Sequence, residues 1–166
     1  MEGHQVKIRT ADRKLFMMDR SDALDIALIR TMIEENDSFD EEIPIDMVEY
    51  DQLQKIVDFI HQCQTKPYKA PLPKPLPTNR LEDVIENKWY INFIDLPKTE
   101  LLKLVKIANY LNIERLFELA SAKIGSLIKG MTIEELREFF EIENDFTEEE
   151  EESIKNGKIN MYNVST

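Results

Sequence analysis

Apolar and polar residues alternate at the start of the chain: Val6, Ile8 and Thr10 are separated by Lys7 and Arg9, and Leu15 to Met18 resume an extended pattern after Ala11-Asp12-Arg13. A period of two broken by turn-forming residues predicts a β-hairpin. The period then lengthens. Ser21 or Asp22 can cap a helix in which Leu24, Ala27, Leu28 and Met32 recur at helical spacing, and the acidic run Glu34 to Glu42 reads as a solvated loop. Ile43-Pro44-Ile45 suits an edge strand, since proline cannot donate to a ladder. Leu53, Ile56, Val57, Ile60 and Cys63 mark a further helix with Cys63 on its buried stripe.

Five of the seven prolines (Pro67, Pro71, Pro73, Pro75 and Pro77) fall between Gln64 and Asn79, where fixed φ and missing N–H donors exclude the interior of a helix or sheet. The expectation is a semi-rigid or disordered spacer; Pro71-Leu72-Pro73-Lys74 also resembles segments read by aromatic grooves. Beyond it, Trp89, Phe93 and Leu96 lead through Asp95 and Pro97, a plausible capping region, into a helix with Leu101, Leu104, Val105, Ala108 and Leu111 on one face. Its other side carries Lys103, Lys106, Asn109 and Tyr110, of which the last three form one patch. Tyr110 fits either a ring folded over its own helix or a partner contact, an environment where tyrosine is enriched. The following helix should bury Ile113, Leu116, Phe117, Ala120, Ile124, Leu127 and Ile128 and stop at Lys129-Gly130.

Two capping boxes come next, Thr132 with Glu135 and Thr147 with Glu150, each predicting a short helix. The first of these holds Ile133, Leu136, Phe139, Phe140 and Ile142 inside a window, Ile128 to Glu152, in which 11 carboxylates face two basic residues. High charge resists collapse onto a private core, whereas large apolar side chains serve as interface anchors. Either phenylalanine alone could complete the core of the preceding helix. Both together cannot share one helix face, because adjacent residues point about 100° apart.

Composition narrows the function classes. Apolar residues make up 42% and charged residues 33%, the profile of an ordinary globular chain, and no run approaches the ~20 apolar residues of a membrane span. Met1 to Gln5 lack a secretory pattern, so the cytoplasm and nucleus are the expected compartments. The formal net charge of −12 argues against nucleic acid and acidic membranes as partners. Cys63 is the single cysteine, and no Cys/His cluster has zinc-ligand spacing, so neither disulfide, metal nor other cofactor is expected. His4 and His61 stand without a placed nucleophile, and Glu148 to Glu152 would fan around a solvated helix start. No catalytic residues are assigned and no enzyme is expected.

Ala108-Asn109-Tyr110-Leu111-Asn112-Ile113, the run from Ile128 to Arg137 and above all the run from Ile142 to Glu151 closely resemble motifs of the S-phase kinase-associated adaptor family of SCF ubiquitin ligases. The likeness extends over nearly the whole chain outside the proline-rich loop (64–80). It implies an α+β, BTB/POZ fold over 1–128, a small β-sheet flanked by helices, with a helical C-terminal extension over 129–166 that binds F-box proteins. It further implies a cullin on the POZ part, at Lys106, Asn109 and Tyr110, and F-box receptors on Ile128, Ile133, Leu136, Phe139, Phe140, Ile142, Asn144 and Phe146. A weak homodimer is allowed when the chain is unbound. Departures from the family pattern are Tyr90 for Asp, Ile26 for Ser, Met131 and Ile133 for Lys and Pro, and a C-terminus without the usual tryptophan, for which Tyr162 could substitute. An elongin C-like adaptor and a structural module such as a kinetochore component are the alternatives.

Overall fold

The computed structural model describes residues 5–35 and 42–155. Expectations for Met1 to His4, the centre of the acidic run (36–41) and Tyr162 lie outside the described residues. Two compact units emerge, Met1–Lys129 and Gly130–Thr166.

In the first unit, β1 (Gln5–Arg9) and β2 (Leu15–Asp19) form the expected antiparallel hairpin, pairing Ile8 with Phe16 and Val6 with Met18. These four side chains are buried, while Lys7, Leu15 and Met17 alternate onto the other face. β3 (Ile43–Pro44) lies parallel to β1, giving the order β2-β1-β3. Pro44 sits in an edge strand, and the next ladder bond comes from Ile45 N–H to the Arg9 carbonyl at 2.8 Å. The hairpin turn is fixed from both sides. Arg13 takes a left-handed φ of 60°, and Asp12 Oδ1 accepts from Thr10 Oγ1 at 2.6 Å and from Tyr50 N–H at 3.0 Å. Lys14 Nζ, 2.8 Å away, and these donors hold the Asp12 carboxyl well below the usual carboxylate range.

The next segment departs from the expected single helix. It divides into α1 (Arg20–Asp25) and α2 (Ala27–Glu35) at Ile26, which is extended at φ −97°, ψ 107°. Burial of Ile26 explains the break: it enters the core with Ala23 and Ile29, so the buried set is displaced from Leu24 and Leu28, which are only half-buried. Leu28 N–H then donates to the Leu111 carbonyl at 3.3 Å. Asp22 is no cap; buried inside α1, it lies 2.8 Å from His61 Nε2, which assigns both residues to joining α1 with α3 (Tyr50–Thr65).

α3 buries Leu53, Ile56, Val57, Phe59 and Ile60. Against it packs α4 (Lys88–Phe93), whose Tyr90 is fully buried and donates its hydroxyl to the Lys66 carbonyl at 3.1 Å. Rings run on from there. Phe59 meets both Tyr90 and Phe93, Trp89 stacks on Phe93 with centroids 5.0 Å apart, and Tyr68 meets Tyr90 edge-on at 5.0 Å.

α5 (Lys98–Tyr110) and α6 (Glu114–Ile128) complete the unit, joined through Asn112 at a left-handed φ of 53°. Asp95 does not cap α5; it pairs with Lys123 at 3.3 Å, and Pro97 occupies the N-cap. Leu116, Leu119 and Ala120 form the buried stripe of α6, whereas Phe117 and Leu127, expected in the core, are exposed. Phe117 immediately follows Leu116 and therefore points about 100° away from it.

The proline-rich loop is fastened and is not a free spacer. Tyr68 and Leu72 are buried, Tyr68 OH donates to the Arg115 carbonyl at 2.8 Å, and Leu72 N–H donates to Glu118 Oε1 at 2.9 Å. Lys129 Nζ reaches the Leu76 and Pro77 carbonyls at 2.6 and 3.1 Å. Prolines leave few donors in this stretch, so the remaining Leu72 N–H and the carbonyls make the attachments. With Leu72 turned inward, Pro71-Leu72-Pro73-Lys74 is not presented as a free recognition segment.

Burial pushes the Tyr68 and Tyr90 phenols above the ordinary tyrosine range, with Glu118 adding to the effect at Tyr68. A raised folded-state pKa contributes stability that is complete below the unfolded value of about 10 and is lost as pH rises past it. Alkaline titration followed at 295 nm should therefore show two of the five tyrosines ionising only together with unfolding. Tyr90→Phe should move that transition to higher pH relative to its own stability at pH 7.

Candidate partner-binding surfaces

On the first unit, α5 presents the α5 patch inferred from spacing. Ile107 and Ala108 are buried, so Lys106 and Asn109, placed on the opposite side, are exposed. Tyr110 is half-buried and packs partly on the core. Ile128, in the last turn of α6, is also half-buried, and Leu127 next to it is exposed. Leu127 was assigned to the core from its spacing, yet two adjacent apolar residues on a helix could have signalled an outward one.

The second unit contains α7 (Ile133–Phe140) and α8 (Glu148–Lys155). Both begin as the capping boxes predict. Glu135 N–H donates to Thr132 Oγ1 at 3.2 Å and Thr132 N–H to Glu135 Oε2 at 2.7 Å, while Glu150 N–H and Thr147 make the equivalent bonds at 3.3 and 2.9 Å. The Thr147 N–H and hydroxyl, both donating to Glu150 Oε2, hold that carboxyl below its usual range. α7 ends at Glu141 with φ 57°, and the Ile142 N–H returns to the Arg137 carbonyl at 2.9 Å.

No residue of α7 is fully buried. Ile133 is 61% exposed, Ile142 59%, Phe146 44% and Phe140 38%. Leu136 and Phe139 are half-buried, the rings of Phe139 and Phe140 meeting edge to face at 5.0 Å. Asn144 is exposed, and its Oδ1 accepts from Phe146 N–H at 3.3 Å, shaping the turn that places Phe146 under the Arg137 guanidinium, 5.7 Å from the ring centre. Arg137 escaped the sequence reading; its charge in an otherwise acidic window was the available signal. Clustered exposed apolar side chains of this size mark an interaction surface. Among the described residues no group of three or more His, Cys, Asp or Glu is arranged to hold a metal ion, and no helix is long and apolar enough to cross a membrane.

A family model described as Skp1 family, dimerisation domain, matches residues 114–159, from the start of α6 through α8. SKP1-like protein 12 of Arabidopsis thaliana is 34% identical over 93% of this chain and 95% of its own length. The chain belongs to the Skp1 family. An S-phase kinase-associated protein 1 homolog of Tetrahymena thermophila is 36% identical over 91% of this chain and 90% of its own length. The SCF ubiquitin ligase complex protein SKP1a of Dictyostelium discoideum is 32% identical over 90% and 91%. The α+β arrangement of a small three-stranded sheet with many helices is accordingly the BTB/POZ-like fold of Skp1-family proteins. Ile26 and Tyr90, which the resemblance marked as departures, are fully buried.

With none of its residues fully buried, α7 of this Skp1-family chain depends on its local caps. Thr132→Ala should cost that helix about 1 kcal/mol, which is roughly fivefold faster amide exchange across Leu136 to Phe140, with exchange in α3 unchanged.

Proposed function

We propose that this Skp1-family chain is the adaptor subunit of an SCF-type E3 ubiquitin ligase, bridging a cullin scaffold to F-box substrate receptors for ubiquitination and degradation of proteins. The exposed row Ile133, Phe140, Ile142 and Phe146 carries the reading. It lies within the stretch matched to the family, on a chain similar along most of its length to a protein named as an SCF ubiquitin ligase complex component. That row, with Leu136, Phe139, Asn144 and, on the first unit, Ile128, receives the F-box. Lys106, Asn109 and Tyr110 receive the cullin. The chain acts without chemistry of its own, by holding receptor and scaffold in one assembly and so raising the effective concentration of substrate near the transferring enzyme.

The Skp1 family match over residues 114–159, which takes in the C-terminal helices, favours this reading over an elongin C-like adaptor. A weak homodimer of the unbound chain belongs to the same proposal. Cytoplasm and nucleus are the proposed compartments.

Leu136→Ala with Phe140→Ala should weaken binding of a purified F-box domain by at least about a hundredfold, since truncating central anchors costs ~2 kcal/mol or more each. Binding of a cullin N-terminal fragment should be unaffected. Asn109→Ala with Tyr110→Ala should give the reverse pattern in the same calorimetric titrations; equal loss of both partners by either pair would contradict two separate surfaces.

A further inference from the structure

A third surface lies on the first unit. A groove of about 460 Å³ opens between α3, α4 and α5. Its wall is the stacked pair Trp89 and Phe93, 5.0 Å apart at 16°, backed by Phe59 at 5.4 Å from Phe93 and therefore held by the core. Leu96, Leu104 and Ile56 supply apolar floor. Around it stand Glu49, Asp51 and Asp58 from the α3 side and Glu100 from α5, against Lys55 and Lys103. Four carboxylates and two ammonium groups leave two negative charges in excess, on a chain that already carries −12. None of the four carboxylates has an ion-pair partner within 4.0 Å among the described residues. Lys14, whose charge is felt by Glu49 and Asp51, is engaged by Asp12 at 2.8 Å.

Glu49 also accepts within the α3 capping box and Asp58 Oδ1 from Gln54 Nε2 at 3.5 Å, but neither partner carries charge. A flat, core-backed indole beside carboxylates without a cationic partner matches one kind of side chain better than any other. Guanidinium stacks on an aromatic face and at the same time donates in plane to a carboxylate, and it gives up hydration more readily than ammonium. The apolar floor accepts an aliphatic neighbour on the same segment. The negative excess disfavours acidic peptides and phosphorylated ligands. On α5 the groove uses Glu100, Lys103, Leu104 and Ile107, one flank of the helix, whereas Lys106 and Asn109 occupy the next.

We propose that the Trp89–Phe93 groove docks an arginine-bearing, net-basic peptide segment of a partner protein, as a site additional to the cullin and F-box surfaces and independent of that assignment. Trp89 is the chain's only tryptophan, so its emission reports directly from the groove wall.

The test titrates the full chain with the capped hexapeptide Leu-Arg-Leu-Arg-Leu-Arg while following Trp89 fluorescence. A saturable emission change is expected. Asp58→Asn with Glu100→Gln should weaken it about tenfold, the cost of losing a charge-assisted hydrogen bond. Replacing arginine by its neutral isostere citrulline should abolish it. The charge-matched control Glu34→Gln with Glu82→Gln, exposed and outside the groove, should bind as the parent does. Circular dichroism checks that each variant folds. The proposal is overturned if emission does not change, if the citrulline peptide binds equally, or if the control pair weakens binding as much as the groove pair, which would mean attraction to overall charge alone.

Discussion

A phenol placed in a fully buried position must keep a hydrogen-bond acceptor, and in this chain that requirement falls on Tyr90. Its hydroxyl is satisfied by the carbonyl of Lys66, the residue that caps the end of α3, and the Asn87 amide at the start of α4 donates to the same oxygen at 3.3 Å, so the exit of α3 and the position of α4 are tied at one acceptor. Phe59, Tyr68 and Trp89 all pack on the same ring. The aromatic groove on one side and the fastened proline-rich loop on the other thus share a single origin. Tyr90 is thus a joint around which this part of the first unit is assembled.

The two units are stabilised by different means. The first has a continuous apolar core built from sheet and helices, with hydrophobic burial as its main driving force. In the second, none of the described residues is fully buried, and helices of eight residues do not persist on propensity alone. Reciprocal caps at Thr132 and Thr147, the left-handed turn at Glu141 and the Arg137–Phe146 contact define its backbone locally, leaving its large apolar side chains outward. A docking element benefits from that division, because surface spent on a private core is unavailable to a partner.

Local rules made part of this legible in the sequence. Alternation specified which hairpin residues face inward, and T-x-x-E spacing specified where α7 and α8 begin, since both depend on neighbours a few positions away. The α5 patch followed from helical periodicity, and the outward apolar residues of α7 from their crowding in an acidic window. What escaped depends on contacts distant in sequence. Ile26 breaks a helix because the core needs it, Asp22 and His61 find each other across 39 positions, and the loop is tied down by Glu118 and Lys129. Phe117 and Leu127 were misassigned because a stripe of apolar residues wider than one face was read as wholly buried.

The fastening of the proline-rich loop has a consequence for how the protein is made. Synthesis proceeds from the N-terminus, so Tyr68 and Leu72 leave the ribosome well before their partners, with Arg115 and Glu118 following 47 and 46 positions later. During that interval the first helices and the sheet exist without α6, and the apolar surface it will cover is open to solvent. Closure of the first unit is therefore a late event in translation, completed only when Lys129 emerges, and a nascent chain stalled before that point would present its unfinished core to the chaperones around it.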